Sequence, residues 1–358
     1  MFSRLSACLR TAYFCGTGLV FLCTASTTLW CAELTDHTSP VIAPAATSPT
    51  ATGIDRRLGT PDPDAIEYPD EAPPSKDVVD LGRTLFFDNR LSGNQTQSCA
   101  TCHNPDLGFG DGLAFGLGSH NNRLGRNTPH LYNLAWNHIF FWDGRAPTLE
   151  QQALGPIASK GEMDMDVTQL LVRLQKVEGY KHRFATAYGT PEINAERIGR
   201  AIAAFERTLI SINAPFDRFA HGDANAMSIQ AQRGMSLFVG KANCIACHSG
   251  PNFTDESFHR LGVKGDDRGR AAIQAGEVME QAFKTPGLRN CLLTAPYMHD
   301  GSQASLEAVI RFYNRGGDAP TPDPLVKQLH LDELEIADLV AFLGALTDPI
   351  HVDRPEIP

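Results

Sequence analysis

The sequence lacks an excess of basic side chains, because its 31 Lys and Arg residues face 41 Asp and Glu residues and the net charge is −10. Without a basic field to bind phosphates, we expect no nucleic-acid partner. The sequence also lacks the repeated long apolar runs of a multispan membrane protein. With 42% apolar and 20% charged residues in 358, it has the composition of a globular protein of about two domains.

The amino-terminal residues 1–25 differ from the rest of the chain and are typical of a secretory signal peptide. Two arginines precede an apolar run over residues 13–22, and small residues then precede a cleavage point after Ala25. The run is short for a membrane span, although an uncleaved anchor and cleavage after Ala32 are alternatives. We therefore predict a periplasmic protein, with no transmembrane domain in the mature chain.

Cysteine is scarce, and its spacing argues against a disulfide framework. Three of the nine cysteines lie in the predicted signal peptide. Disulfides are the first expectation for the others in an exported protein. Four of them instead fall in two C-x-x-C-H frames, the attachment signature of c-type haem. The frames are Cys99-Ala-Thr-Cys102-His103 and Cys244-Ile-Ala-Cys247-His248.

The chemistry of haem attachment requires this spacing. Each Cys sulfur forms a thioether to one of two fixed vinyl carbons, so the two thiols must lie about one helical turn apart. The His four residues after the first Cys lies on the same helix face and becomes an axial iron ligand. A zinc site would need further Cys or His pairs, and a thioredoxin-like motif needs no trailing His. We predict two covalently bound haem c groups and free thiols at Cys31 and Cys291.

The chain divides by composition and by the spacing of apolar residues. Residues 26–75 are rich in Pro, Thr, Ala and Ser, which predicts a mobile leader or linker. Helical spacing begins after Ser75 and recurs along the chain, without a convincing set of alternating strands. We therefore predict a mostly α fold with two tandem cytochrome-c-like haem domains and long loops. The predicted domains span 76–193 and 194–348, followed by a tail at 349–358.

An internal repeat supports the tandem arrangement. The segment Gly82–Phe86 (GRTLF) precedes the first frame, and Gly234–Phe238 (GMSLF) precedes the second. Behind the frames, Phe109–Asp111 (FGD) corresponds to Phe253–Asp255 (FTD). Each predicted domain therefore has a similar helix before its haem motif and a similar loop after it.

Together these motifs resemble the bacterial di-haem cytochrome c peroxidase and MauG family over residues 76–348. The segments Phe141–Ala146 and Gln152–Pro156 resemble the family's inter-haem and distal-pocket stretch. The segments Phe283–Asn290 and Thr294–His299 resemble its carboxy-terminal signature. The resemblance implies a peroxidase-type oxidoreductase that uses hydrogen peroxide.

The resemblance also assigns roles at the first haem. It implies that the haem on His103 cleaves peroxide, that Glu162 is the catalytic carboxylate, and that Gln152 and Pro156 line the same pocket. Trp142 falls where the family has an aromatic residue between the haems. A positioned carboxylate can take a proton from peroxide and return it to the departing oxygen, and burial would raise its pKa. Considered alone, Glu162 would be a surface acid and Trp142 a core aromatic.

A calcium ion between the domains is a further implication of the resemblance. Its ligands would be Asn127 and the backbone carbonyls of Thr294 and Pro296. Oxygen ligands of this kind are those that a hard cation prefers. Considered alone, Asn127 would be an ordinary turn residue.

The second haem, on His248, is where the sequence departs from the peroxidase branch of the family. That branch has a Met as sixth ligand, whereas Tyr313 stands at the position here, as in the MauG branch. Thioether sulfur favours ferrous iron, and phenolate oxygen favours ferric and higher states. Met298 and His299 are competing ligand candidates, and a core tyrosine is the alternative for Tyr313.

His120 is a further candidate for ligation of the first haem. It lies in the loop where the peroxidase branch carries a histidine that caps the resting iron. When residues are counted back from Pro129 without a gap, His120 lies one residue away from the position of that histidine in the family. The alternative is therefore that His120 is a surface histidine.

Three functions are compatible with these motifs. A MauG-like enzyme would use peroxide to oxidise side chains of a partner protein, and Tyr313 favours this hypothesis. A cytochrome c peroxidase would reduce peroxide to water with electrons from a small soluble cytochrome c or cupredoxin. In both, electrons pass through the carboxy-terminal haem. A plain electron carrier is the third, but it leaves the distal-pocket resemblance without purpose.

Overall fold

Short helices joined by long loops make up residues 54–318 and 323–358, which a computed structural model describes; the predicted signal peptide lies outside these ranges. No helix in them is long and apolar enough to cross a bilayer. The prediction of a mostly helical fold is confirmed. The α-helices are α1 (Lys76–Phe86), α2 (Cys99–Cys102), α3 (Leu149–Ala158), α4 (Val167–Gln175), α5 (Glu178–Tyr188), α6 (Ala195–Glu206), α7 (Pro215–Ala220), α8 (Ile229–Val239), α9 (Leu306–Asn314) and α10 (Glu333–Gly344). Two short strands, β1 (Phe258–His259) and β2 (Phe283–Lys284), pair in antiparallel fashion.

The strongly periodic segments form helices where their spacing predicts them, in α1, α4, α6, α9 and α10. The hydroxyl of Ser75 caps α1 by accepting the N–H of Val78 at 3.4 Å. The periodicity does not reveal α3, which contains Pro156, or α5, which buries only Tyr180 and Phe184. Regular apolar spacing therefore identifies the helices whose apolar residues recur along one face, including α4 with only two buried leucines, and misses α3 and α5.

Two clusters of buried side chains form the core, mainly from residues 81–209 and from residues 216–346. Helix α6 packs against α1 and α3, while α10 packs against α8 and α9. A boundary after residue 193 would assign α6 to the second domain, yet its apolar side chains belong to the first cluster. Residues 189–191 form part of the turn between α5 and α6. The boundary between the two side-chain clusters lies between residues 209 and 216, which is later in the sequence than the predicted domain boundary.

Both ends of the described chain pack onto the core. Ile54 and Leu58 are buried in the second cluster, and Leu58 pairs with Gly250. Residues 54–58 are therefore not a mobile leader, because two apolar side chains are enough to anchor a segment that has no periodicity. Ile350 and Val352 of the predicted tail pack against the first cluster. The first described residues therefore pack on the second cluster, and the last residues pack on the first cluster.

Equivalent glycines of the internal repeat lie where helices cross. A Cβ atom on Gly82 of α1 would lie 1.8 Å from the carbonyl oxygen of Ala201 on α6. A Cβ atom on Gly234 of α8 would lie 1.9 Å from the carbonyl oxygen of Asp338 on α10. In each half, only glycine allows the helix before the haem motif to approach the later helix this closely. The repeat therefore preserves a packing contact as well as a haem motif.

The substitution Gly82→Ala is expected to lower the free energy of unfolding by about 1–3 kcal/mol, because two helix backbones must separate to admit the methyl group. Gly125→Ala is the matched control, since a Cβ atom there meets nothing within 4 Å. Urea unfolding of the haem-loaded variants measures both effects. Equal unfolding midpoints for the two variants would contradict the close-contact explanation.

Candidate active site

A cavity of about 680 Å³ lies where the two halves meet, and both C-x-x-C-H frames open onto it. The residues predicted for haem binding, peroxide chemistry and calcium binding come from distant parts of the sequence. The structure brings them together around this one space. The cavity is lined by Cys99, Cys102, His103, Asn127, Trp142, Gln152, Pro156, Glu162, Cys244, Cys247, His248, Thr294, Pro296 and Tyr313, together with Met298 and His299.

His120 does not line this cavity. Its imidazole is largely exposed, and its Nε2 lies 3.7 Å from a carboxylate oxygen of Asp164. The structure therefore places His120 on the surface, which agrees with the simpler of the two expectations for this residue.

The two haem motifs form single turns that leave their thiols free. Cys99 and Cys102 bound α2, and the N–H of His103 donates to the carbonyl of Cys99 at 2.8 Å. In the second motif, the N–H of His248 donates to the carbonyl of Cys244 at 2.9 Å. All four cysteines are unpaired. Each motif thus presents two thiols about one turn apart, as two thioether bonds require.

Within the described ranges, the first motif belongs to no group of three potential metal-binding side chains, whereas Cys247 of the second motif lies in such a group with Asp255 and His259. No second Cys-x-x-Cys pair joins either motif there. Burial raises the pKa of the Cys102 thiol to about 11, so without a metal or a thioether bond this sulfur is protonated at neutral pH.

Each motif histidine is oriented by a backbone carbonyl. Nδ1 of His103 lies 3.1 Å from the carbonyl oxygen of Phe109, and Nδ1 of His248 lies 2.9 Å from that of Phe253. An Nδ1–H donor at these positions leaves Nε2 unprotonated and available to a metal. Burial also lowers the pKa of both imidazoles, which keeps them neutral. Both motifs therefore fit a covalently attached haem with an axial histidine.

The repeated Phe-x-Asp segments gain a role from this geometry that sequence reasoning missed. Phe109 and Phe253 are fully buried and both have left-handed backbones, with φ of 58° and 55°. This unusual conformation turns their carbonyls toward the histidines. The recurrence of the segment behind each C-x-x-C-H frame was the signal that could have revealed it.

The second motif has an additional charged neighbour, His259. Its Nε2 lies 2.9 Å from Asp255 and its Nδ1 lies 2.8 Å from Asp323. The hydrogen bond to Asp255 is the largest influence that raises the pKa of His259, to about 11. The imidazole is therefore a cation between two carboxylates on the cavity wall. The sequence carries no motif that identifies this group.

The predicted peroxide pocket lies on one side of the first motif. Helix α3 contributes Gln152 and Pro156, and Glu162 follows in the next loop. Burial raises the pKa of Glu162, and the guanidinium of Arg145 partly opposes this shift. The Oε1 atom of Gln152 is buried without a hydrogen-bond partner among the described residues. Glu162, whose raised pKa favours the protonated carboxyl, and Gln152, which has an unpaired acceptor oxygen, therefore line the same cavity.

Trp142 and Asn127 connect the two halves beside the cavity. Trp142 Nε1 donates to the carbonyl of Asn127 at 2.9 Å, and the N–H of Lys284 donates to the carbonyl of Trp142 at 2.8 Å. The N–H of Asn127 donates to the carbonyl of His299 at 2.7 Å. Its side-chain amide donates to the carbonyl of Leu113 at 2.8 Å, which leaves the amide oxygen as an acceptor.

Tyr313 is carried by α9 on the wall beside the second motif. Burial raises the pKa of its phenol, and the charges of Cys244 and Cys247 act in the same direction. His299, the competing candidate, stacks on the ring of Phe283 with centroids 3.6 Å apart. This stacking holds the His299 imidazole against β2, whereas the Tyr313 ring makes an edge-to-face contact with Phe312 at 5.3 Å between centroids.

Comparison with known proteins now identifies the family. The methylamine utilization protein MauG of Methylorubrum extorquens is 46% identical over 302 residues, which cover 83% of this chain and 86% of that protein. The chain belongs to the di-haem cytochrome c peroxidase family. The family model of that name matches residues 76–225. Like its relatives, this di-haem family member is a peroxide-dependent oxidoreductase that carries two haem c groups.

Relatives of this di-haem family member have names of two kinds. The cytochrome c551 peroxidase of Nitrosomonas europaea is 36% identical over 292 residues, covering 79% of this chain and 83% of that protein. The crystal structure of a MauG-like protein associated with microbial copper homeostasis superimposes with a TM-score of 0.74 at 31% identity. It covers 82% of this chain and 95% of that one. Family membership therefore establishes the chemistry, and the subclass depends on individual residues.

Proposed function

We propose that the protein uses hydrogen peroxide to oxidise side chains of a partner protein, as a MauG-like enzyme of its family. Cys99, Cys102 and His103 would hold the haem that supplies peroxide cleavage. The observation that carries this proposal is Tyr313, which lies beside the second motif on the wall of the cavity that Glu162 also lines. The protein acts in the periplasm, after export by residues 1–25.

Glu162 moves the proton during peroxide cleavage. When bound, the two haems supply peroxide cleavage at the first motif and electron relay at the second. The raised pKa of Glu162 brings its carboxyl closer to the working pH, where it can both accept and donate a proton. Gln152 and Pro156 shape the same wall, and the free Oε1 of Gln152 can accept a hydrogen bond from peroxide.

Trp142 provides the path between the two halves. Its indole is held at Nε1 by the first half, and its backbone accepts a hydrogen bond from the second half. Both contacts restrain a polarisable ring on the wall of the shared cavity. We assign Trp142 to electron transfer between the two haem sites rather than to core packing alone.

Tyr313 separates the two enzyme hypotheses. A phenolate ligand stabilises ferric and higher oxidation states, whereas a thioether ligand stabilises the ferrous state from which a peroxidase draws electrons. The second site would therefore hold an oxidising equivalent for a partner protein. Reduction of peroxide to water with a small soluble cytochrome c or cupredoxin is the second candidate, favoured by relatives named as cytochrome c peroxidases.

A calcium ion would brace the junction of the two halves. The free amide oxygen of Asn127 and the carbonyls of Thr294 and Pro296 are the ligands that we propose for it. Because Asn127 also accepts the indole N–H of Trp142 at its carbonyl, calcium would help to hold the path between the haem sites.

The proposed function is tested by supplying peroxide together with two kinds of reductant. Reduced cytochrome c or cupredoxin is followed by absorbance, and periplasmic proteins are followed by mass spectrometry for modified Trp and Tyr side chains. We expect modified side chains and slow oxidation of the small donors. Rapid, sustained oxidation of a small donor without modified side chains would contradict the MauG-like proposal and support the peroxidase.

Glu162→Gln is expected to slow the reaction with peroxide by about 100-fold or more, because the amide cannot transfer the proton. The haem spectra should stay nearly unchanged. Asp164→Asn is the matched control, since it removes a neighbouring, more exposed acid whose left-handed backbone suits asparagine. Stopped-flow mixing with peroxide measures both variants. Full activity of the Glu162 variant would refute the assigned role.

A further inference from the structure

A second acid, Glu206, lines the haem cavity and has no part in the chemistry above. It is the last residue of α6 and is only 4% exposed. Its Oε2 atom is buried without a hydrogen-bond partner among the described residues. Ionisation of a buried carboxyl without a hydrogen-bond partner costs free energy, so the surrounding charges determine whether Glu206 is protonated.

Glu206 and Glu162 act on different cysteines of the first motif. Burial is the main cause that raises the pKa of both thiols; the charge of Glu206 adds to this shift at Cys99, and the charges of Asp111 and Glu162 add to it at Cys102. Two acids therefore influence the first motif electrostatically, and Glu206 is the one that the proposed peroxide chemistry does not use.

Two charged neighbours of Glu206 line a second cavity. The next residue, Arg207, pairs with Glu150 of α3 at 2.5 Å. Both side chains line this cavity of about 660 Å³, together with the exposed Glu196. The charges of Arg207 and Glu150 both act on Glu206, so water in the second cavity would be the nearest source of a proton that does not cross the haem cavity.

The charged groups around Glu206 set its titration. Burial raises the pKa of Glu206 to about 8, with Arg207 opposing the shift and Glu150 reinforcing it. On the motif side Glu206 interacts electrostatically with Cys99, whose sulfur loses its proton when it forms the thioether. The carboxyl therefore changes charge close to neutral pH, within the wall of the haem cavity.

We propose that Glu206 is the redox-linked proton site of the first haem. When that haem gains an electron from the redox partner or an electrode, Glu206 takes one proton from water and an O–H bond forms at its carboxylate. When the electron leaves, the proton returns to water. Where Glu206 is ionised in the ferric protein, each electron is thereby accompanied by one proton, and the net charge of the buried site stays constant. This inference rests on the proposed attachment of the first haem at Cys99 and Cys102.

The experiment is a spectroelectrochemical titration that measures the midpoint potential of the first haem in the haem-loaded protein. It runs between about pH 6 and pH 10, a range that includes the raised pKa of Glu206. In the native protein, the midpoint potential of the first haem should fall as pH rises through about 8, because the carboxylate stabilises ferric iron. Glu206→Gln should have a higher potential at high pH and no such fall. Glu178→Gln, which removes an acid with an 86% exposed side chain, should behave like the native protein.

Two results would overturn the inference. One is a native potential that does not change over this pH range, and the other is an unchanged pH dependence in Glu206→Gln. If that variant loads haem poorly, reduced-minus-oxidised infrared spectra of the native protein decide the matter. A carboxylic-acid carbonyl band that appears on reduction and shifts in deuterium oxide supports the proposal, and its absence refutes it. Failure of the peroxide reaction alone would contradict the proposed function and leave these potentials interpretable.

Discussion

The hydrogen bond between a motif histidine and the carbonyl of a buried phenylalanine is the constraint on which the whole site depends. It occurs twice, between His103 and Phe109 and between His248 and Phe253, with Nδ1 to oxygen distances of 3.1 and 2.9 Å. Because Nδ1 is engaged, Nε2 is the nitrogen left to bind iron. The left-handed backbone of each phenylalanine and its complete burial hold this carbonyl in place. The fold thus orients each imidazole so that its Nε2 would be available to a haem iron.

The two halves share one plan and differ in what surrounds the histidine. In both, a glycine of the helix before the motif touches the backbone of the later helix, at Gly82 and at Gly234. The first half adds an acid-lined pocket around Glu162. The second half adds Tyr313 and the imidazole of His259 between two carboxylates. One repeated scaffold therefore supports two different iron environments, which meet across a shared cavity.

Local chemistry explains how far sequence reasoning reaches. The haem motifs, the periodic helices and the residues gathered around the cavity are predictable, because spacing and residue type encode them directly. The roles of the Phe109 and Phe253 carbonyls could not be predicted, because they depend on the backbone conformation and not on the side chain. Glu206 is equally hidden, because an acid at a helix end is normally solvated and only packing shows that this one is buried. Ile54 was missed because isolated anchors leave no periodicity.

The proposed function requires that the haem on His103 would keep a vacant coordination position for peroxide, while Tyr313 would ligate the haem on His248. Electron paramagnetic resonance of the fully oxidised protein tests it most directly, with Tyr313→Phe as the comparison. The account predicts one high-spin and one low-spin ferric signal, and loss of the low-spin signal in the variant. Two low-spin signals in the native protein, or a low-spin signal that persists without the tyrosine hydroxyl, would contradict it.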